Sequence, residues 1–448
     1  MNFRFLCFMC VVGYPKFGEN RFGLKNVRFG SGQPTGLTFA PFSDGYDNGY
    51  PNVTKSLDKY REFYASFIAL GSEFLAKIFT ARAKERRPFS CIIYTSVLSW
   101  VGIGAKKLNA LATLLWIQPA TLLDIYYYYF TDYRYDLKNC LLDDQPIELP
   151  RLPFLVGTRE IPLFLFSSGN LMDWLIQTMK EHVESINSET NESVLVNTFD
   201  VLELEALRSI KNNVNMVGIG PLIPSYFLDG EDPLDTSYGS DLRHCSKDYM
   251  DWLDFMPNAS VVYVAFGSYS ELSNQMMEEI AKGLVKSKRP FLWIIRDGEF
   301  KSLTNLSCKE ELEKQGKIMS WCSQVEVLQH PSLGCFLTHC GWTSTLESLV
   351  SRIPIVACPL WTDQGCNSKF SQDVWKIGVR VNANEEGIIE GDKFKRCVEI
   401  VKGVRKEGEE LRKNVKKWRN LAKDAIKEDG SSNVNLKAYV HEVLGNIV

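Results

Sequence analysis

The sequence predicts an α/β protein of two domains, each a parallel sheet covered by helices, facing a cleft. Three observations carry that prediction. The chain has 448 residues, and about 150 residues per domain suggests two or three domains. Through the second half, apolar β-rich runs alternate with helical patterns, and unbroken apolar strands belong to parallel sheets covered on both faces. A polar, turn-rich stretch between about Pro224 and Ser246, containing LDGEDPLDTSYGSD, reads as a linker. Domains of residues 1–235 and 236–448 are therefore expected.

The elements follow in order. Ser90–Tyr94 and Leu111–Ile117 read as strands, and Ser193–Thr198 as another, followed by a helix over Leu202–Ile210. Four consecutive tyrosines, Tyr126–Tyr129, read either as packing residues on a helix or as the lining of an aromatic pocket. In the second half, Val261–Ser268, Phe291–Arg296, Lys317–Trp321, Gly334–His339 and Pro354–Pro359 read as strands. Helices are expected over Glu278–Lys286, Ser344–Val350 and Asn367–Lys376. From Asp392 the Lys- and Glu-rich tail has helical apolar spacing, so two or three terminal helices are expected, packing back toward the N-terminal domain.

Composition excludes several classes. The net charge is −3, with 45% hydrophobic and 23% charged residues. That leaves no basic footprint for nucleic acid and ample apolar material for a core. The twelve cysteines are scattered, many in apolar runs such as LGCFLTHC, as buried reduced thiols of a cytoplasmic protein would be. Cys7 and Cys10 form a CxxC with no second ligand pair nearby, which argues against zinc. The opening MNFRFLCFMCVV is too short to span a membrane, lacks a small-residue cleavage site and reads as a buried first strand. No other segment approaches the length of a membrane span, so no membrane partner is expected.

Ligands of open α/β sheets bind at the carboxyl ends of strands. Three strand ends carry small and polar residues there: Phe266-Gly267-Ser268, Thr338 to Ser344, and Pro359 to Gln364. The second is the richest. A strand ends at His339, glycine permits a tight turn, and a helix is expected to begin near Ser344. Its free N–H groups and dipole suit a phosphate, with His339 and Ser344 as further donors. Ser344-Thr-Leu-Glu347 also fits a capping box, which would give both residues a purely structural role. Alternatively the Glu347 carboxylate accepts both hydroxyls of a ribose. Asp363 and Gln364, beside Trp361, suit sugar hydroxyls or a helix cap. Ser268 could be a simple cap and Trp321 simple core.

The stretch from Trp321 to Gln364 reads WCSQVEVLQHPSLGCFLTHCGWTSTLESLVSRIPIVACPLWTDQ. It resembles the signature box of the plant UDP-dependent glycosyltransferases of small molecules. The likeness continues in FSDGYD (Phe42–Asp47), LLWIQPAT (Leu114–Thr121), VLVNTFD (Val194–Asp200), GIGPLIPS (Gly218–Ser225) and VVYVAFGS, and covers roughly residue 37 to the end. Within the family the chain looks most like the branch of anthocyanin 5-O-glucosyltransferases and glucosyl-ester-forming enzymes. The resemblance implies a GT-B fold, two Rossmann-like domains, the first binding the acceptor and the second the UDP-sugar. It implies that Trp321 stacks on uracil, that the Cys322 backbone contacts the base, and that Gln324 and Glu347 lie at the ribose. His339, Ser344 and Ser268 match phosphate contacts, and Trp342, Asp363 and Gln364 match positions around the sugar. It further implies glucose as the donor sugar, an inverting displacement, no metal, and no cofactor besides UDP-glucose as substrate. A single chain acting as a monomer on a small-molecule acceptor is expected.

Two departures stand out. Thr343 replaces the family's asparagine, keeping a hydroxyl but losing an amide. The family's general base, a histidine in a Gly-His-x-x-Pro context after the first strand, has no counterpart, because the five histidines are His182, His244, His330, His339 and His441. Thr95 stands at the position of its aspartate partner. The first βαβ unit, within residues 1–36, is therefore expected to be atypical or incomplete. That leaves a second reading, a UDP-sugar-binding relative with impaired catalysis or a truncated gene product. A nicotinamide-dependent oxidoreductase is disfavoured, since Gly102-Ile-Gly104 and Gly30-Ser-Gly32 both lack the third glycine of that fingerprint.

Overall fold

The computed structural model describes residues 5–8, 40, 42–43, 57–166, 172–188, 192–210, 214–224, 226–229, 248–268, 270, 272–296, 299–384, 388–403 and 405–445. Cys10 of the CxxC, most of residues 1–36, and the expected boundary at 235/236 lie outside them. The chain divides into two compact units. One draws on Met1–Thr158, Pro162–Leu222 and Ala425–Val448, the other on Arg159–Ile161 and Ile223–Asp424.

The first unit is a five-stranded sheet of β1 (Phe5–Phe8), β2 (Cys91–Thr95), β3 (Ala112–Trp116), β4 (Glu192–Val196) and β5 (Val214–Gly218), in that spatial order. Every pairing is parallel. The expected strands are present, trimmed by a residue or two where the ladder ends. The expected helix over Leu202–Ile210 is reduced to a 3₁₀ turn, Ala206–Arg208. One reason is that Glu203 faces a different helix. Its carboxylate accepts the amides of Ala120 (3.1 Å) and Thr121 (3.0 Å), capping helix Ala120–Phe130 at its N-terminus. That helix carries the four tyrosines. Tyr126, Tyr128 and Tyr129 are buried, and the Tyr129 hydroxyl donates to the Leu165 carbonyl at 2.6 Å. They are packing residues. The last helix, Ser431–Gly445, belongs to this unit. Ser432, Asn435 and Tyr439 donate to the Gly220 carbonyl, to Asp200 and the Gly218 carbonyl, and to Thr113.

Helix Leu57–Lys84 corrects one expectation. Its Arg61–Lys84 stretch is long and apolar enough to cross a membrane by length and composition. The sequence hides this because charges interrupt the run. Glu73 and Lys77, one turn apart, pair at 2.6 Å on an exposed face.

Asp124 lies on the tyrosine helix, fully buried, with neither carboxylate oxygen in a hydrogen bond. Burial, and the Glu203 charge after it, raise its pKa well above the usual carboxyl range, while the nearby Ser209 hydroxyl pulls the other way. The folded protein therefore keeps Asp124 protonated when the unfolded chain has ionised it. Stability is undiminished below the unfolded pKa of about 4 and falls as pH rises from there toward the folded value. Asp124→Asn, which does not titrate, is expected to stabilise the protein at pH 7.5, with the gain shrinking toward pH 4. Denaturant midpoints at the two pH values check this, and an equal midpoint shift at both would refute it.

The second unit is a six-stranded sheet of β6 (Val261–Ala265), β7 (Phe291–Ile294), β8 (Lys317–Met319), β9 (Leu333–Thr338), β10 (Ile355–Ala357) and β11 (Gly378–Arg380). The spatial order is β11-β10-β9-β6-β7-β8, all parallel. β11 is an edge strand of three residues, too short to leave a periodic signal. The strands are buried almost throughout, and helices such as Asn274–Ser287 and Gly391–Lys402 supply Met277, Ile280, Leu284, Phe394 and Val398 to the core on one face.

Candidate functional site

In the second unit the chain runs outward from β6 to β7 and β8, then returns to place β9 on the other side of β6. The gap between β6 and β9 is thus the switch point of the sheet, and ligands bind at its carboxyl end. Gly267 and Ser268 follow β6 there, and His339 follows β9.

His339 is 9% exposed. A Cβ added to Gly267 would lie 2.7 Å from its Nε2, and one on Gly341 would also lie 2.7 Å away. Gly267 additionally has φ +72°, a left-handed conformation cheap only for glycine. Two glycines from two loops thus make room for one ring. The Cys340 amide donates to Thr338 Oγ1 (3.3 Å), and that hydroxyl lies 3.4 Å from His339 Nδ1. The hydroxyl, with one proton and two lone pairs, accepts the amide and pairs with Nδ1 in either tautomer; with the ring proton on Nε2, that atom is the outward donor. Burial holds the imidazole's pKa down to about 4, so at neutral pH the ring is uncharged.

The following helix runs from Trp342 to Val350, starting two residues before the expected Ser344, with Gly341 at its N-cap. Ser344 is therefore inside the first turn, and the capping-box reading of Ser344 and Glu347 is corrected. The cap comes from elsewhere. Asp363 Oδ2 accepts the Trp342 amide at 3.2 Å, although Asp363 itself precedes helix Gln364–Lys369. By helix geometry the amides of Thr343 and Ser344 have no intrahelical acceptor. They are the donors this terminus can offer an anion.

Gln324 links the other predicted residues. Its Nε2 donates to Ser344 Oγ (2.9 Å) and to Glu347 Oε2 (2.5 Å). Its Oε1 accepts from the Tyr263 hydroxyl at 3.2 Å, which lies 3.3 Å from the Cys322 thiol. Glu347 is buried, which raises its pKa to about 7 against the pull of the Gln324 amide. Tyr263 was not anticipated. It lies in an apolar strand, stacked on Phe336 at 4.8 Å, and only its hydroxyl sets it apart from a core aromatic.

Gln364 Oε1 accepts the amides of Leu360 (2.8 Å) and Trp361 (3.1 Å), which leaves its amide group as the donor. The Trp361 indole donates to Ser270 at 3.2 Å, tying this loop to the one after β6. Thr362 is left-handed, φ 54°, and its hydroxyl donates to Asp363 Oδ1 at 2.9 Å. Burial raises the Asp363 pKa, partly offset by Thr362, Asn367 and backbone donors.

Four predicted residues stand apart from this network. Trp321 is half-buried and Thr343 is exposed. Ser268 is exposed, and its carbonyl accepts from Arg296 at 3.3 Å. Trp342 is 3% exposed, its indole 5.9 Å from that of Trp375. Its ring is core, and it meets the site through its backbone.

In the first unit, Thr95 closes β2 and is buried. His182, on helix Asp173–Ser188, places Nε2 2.7 Å from the Ser96 carbonyl, with its ring between those of Tyr94 and Trp116. Burial lowers its pKa to about 4. It is a satisfied core histidine. Among the described residues no group of three His, Cys, Asp or Glu side chains gathers at metal-binding distance.

The family model described as UDP-glucoronosyl and UDP-glucosyl transferase matches residues 171–416. UDP-glycosyltransferase 75C1 of Solanum lycopersicum is 50% identical over 92% of this chain and 88% of its own. Anthocyanidin 3-O-glucoside 5-O-glucosyltransferase of Verbena hybrida is 43% identical over 91% of this chain and 88% of its own. The crystal structure of Os79 from O. sativa in complex with UDP superposes with a TM-score of 0.79 at 30% identity, covering 90% of this chain and 88% of that one.

Proposed function

Because this chain belongs to the UDP-glucoronosyl and UDP-glucosyl transferase family, with the GT-B fold of its members, we propose that it moves glucose from UDP-glucose to a small plant metabolite. The acceptor carries a hydroxyl or a carboxyl, as flavonoids, phenolics and hormone-like acids do. The observation that carries this reading is the Gln324–Ser344–Glu347 group beside His339 at the switch point. There a buried carboxylate is placed to accept from a ribose diol, and neutral donors are placed to meet a pyrophosphate.

The donor occupies the second unit. Trp321 stacks on the uracil, the Cys322 backbone meets the base, and Gln324 and Glu347 hold the ribose. His339 Nε2–H, the Ser344 hydroxyl, Ser268, Thr343 and the free amides of the helix N-terminus receive the phosphates. The Gln364 amide, Asp363 and the Trp342 backbone stand at the glucose. The acceptor oxygen, already ionised in a carboxylate and losing its proton to solvent in a hydroxyl, attacks the anomeric carbon as that carbon's bond to the UDP oxygen breaks, inverting it. The charge left on UDP is met by the same donors, so no resident cofactor is part of this scheme. All donor residues come from one unit of one chain, which supports a monomer as the working form. The nine cysteines whose side chains are described are free and eight are buried, which supports a reducing, cytoplasmic location.

The ribose diol is a donor, so it needs Glu347 ionised. The free protein holds Glu347 protonated below about pH 7. UDP-glucose binding must therefore expel a proton, and affinity is expected to fall by up to about tenfold per pH unit below 7. Calorimetric titration with UDP-glucose between pH 5.5 and 8.5 tests both parts. Absence of binding at any pH refutes the function. Binding with a flat pH profile refutes the role of Glu347.

A further inference from the structure

Asn367 belongs to none of the patterns that pointed to the site. It lies on helix Gln364–Lys369, one turn after Asp363, and is completely buried. Its single amide group makes two hydrogen bonds. Nδ2 donates to Asp363 Oδ2 at 2.6 Å and to the Cys340 carbonyl at 2.8 Å. Its Oδ1 is buried with no hydrogen-bond partner. A residue chosen only for packing would avoid an orphaned buried acceptor, which costs about 1–3 kcal/mol.

The two acceptors are the two joints of the phosphate-facing loop. Asp363 Oδ2 also takes the Trp342 amide, so it aims the helix whose N-terminus faces the ligand. Cys340 has φ 64°, a strained conformation for a non-glycine residue, and sits between His339 and Gly341. The two N–H bonds of one planar amide diverge at a fixed angle, so they hold both joints at one separation. The surrounding side chains offer no second donor to Asp363 Oδ2 and no other side-chain contact to the Cys340 carbonyl among the described hydrogen bonds.

We propose that Asn367 is a positioning residue of the UDP-sugar site: through its Nδ2 it locks the Asp363 cap to the left-handed Cys340 turn, and so sets His339 and the helix N-terminus in one arrangement. This rests on the donor-site reading above. Asn367 touches no ligand. It acts on the donor through residues that do, so its loss raises the KM for UDP-glucose more than it lowers kcat.

The test compares wild type, Asn367→Ala and Asn367→Asp by UDP-glucose calorimetry at pH 6 and pH 8, with melting temperatures alongside. Alanine removes both bonds and is expected to weaken binding about 10- to 100-fold. Aspartate keeps the shape. Ionised at pH 8, it repels Asp363 and binds as poorly as alanine. Protonated at lower pH, it regains one donor, so its affinity relative to wild type recovers toward pH 6. Taking each variant relative to wild type at the same pH removes the effect of Glu347. A merely structural role lowers the melting temperature and leaves that ratio independent of pH, which overturns the proposal. So does a folded alanine variant that binds as tightly as wild type. Wild type that binds no UDP-glucose overturns the donor-site reading and this proposal together.

Discussion

Transfer to a phenol by this chain is expected to run about 10²–10⁴-fold below that of a family member carrying the Gly-His-x-x-Pro histidine, while transfer to a carboxylic acid is expected to be comparable. The reasoning is a proton count. A phenol keeps its proton at pH 7, and the proton must leave as the oxygen bonds to the anomeric carbon. A positioned base contributes that factor when its pKa is near neutral. No histidine precedes His182 in the sequence. His182 itself is buried among Tyr94 and Trp116, bonded to a backbone carbonyl, with its pKa lowered to about 4. Thr95 has no carboxylate to pair with a base. A carboxylic acid is already ionised at pH 7 and needs none of this. The measurement is kcat/KM for one phenol and one acid acceptor, each expressed relative to the same relative enzyme. Equal ratios for the two acceptors would mean that another group in the chain takes the proton.

Gly267→Ala is expected to weaken UDP-glucose binding about 10- to 100-fold, the worth of a hydrogen bond to a charged phosphate. Two effects combine. The left-handed backbone at φ +72° costs a non-glycine residue about 1–2 kcal/mol. The new methyl would also stand 2.7 Å from His339 Nε2 and 2.8 Å from its Cε1, so the ring must move or the loop must open. Overpacking of this kind costs about 1–3 kcal/mol of stability, so a modest fall in melting temperature is part of the expectation. Replacing His339 as well, by alanine, relieves the clash but not the lost donor. The double variant should then regain stability without regaining affinity. Recovery of affinity in the double variant would show that His339 does not hold the phosphate.

Much of the candidate site's cluster of side chains was legible because its residues are close in sequence and each type is unusual where it stands: a histidine at a strand end, or Asp-Gln after an apolar strand. The boundaries of the helix at Trp342 were not legible, because the deciding cap, Asp363, comes from the next strand's loop rather than from the local Ser-x-x-Glu pattern. Tyr263 and Asn367 escaped for the same reason. Their importance is in partners far along the chain, Gln324 for one and Cys340 for the other, and a single sequence does not display such partners. In the first unit β2, β3 and β4 were readable as apolar runs, whereas β5, Val214–Gly218, was not anticipated, since Asn215 and the closing Gly218 leave it no continuous apolar run. The region of Leu202–Ile210 was not, since a buried acid committed to a distant helix end looks in sequence like any helical glutamate.

The switch point also dictates when the donor site can exist. β6 and β9 line its two sides, yet β7, β8 and the helices between them separate the two strands in the chain. Pairing β6 with β9 closes a loop of that whole length, and such non-local pairings form slowly. His339 meets Gly267 only after that step. A chain in which β6 and β9 have not paired has no competent pocket, so a ligand of this site has no purchase until they do. A ligand bound across β6 and β9 resists the separation of these two strands and so stabilises the folded state.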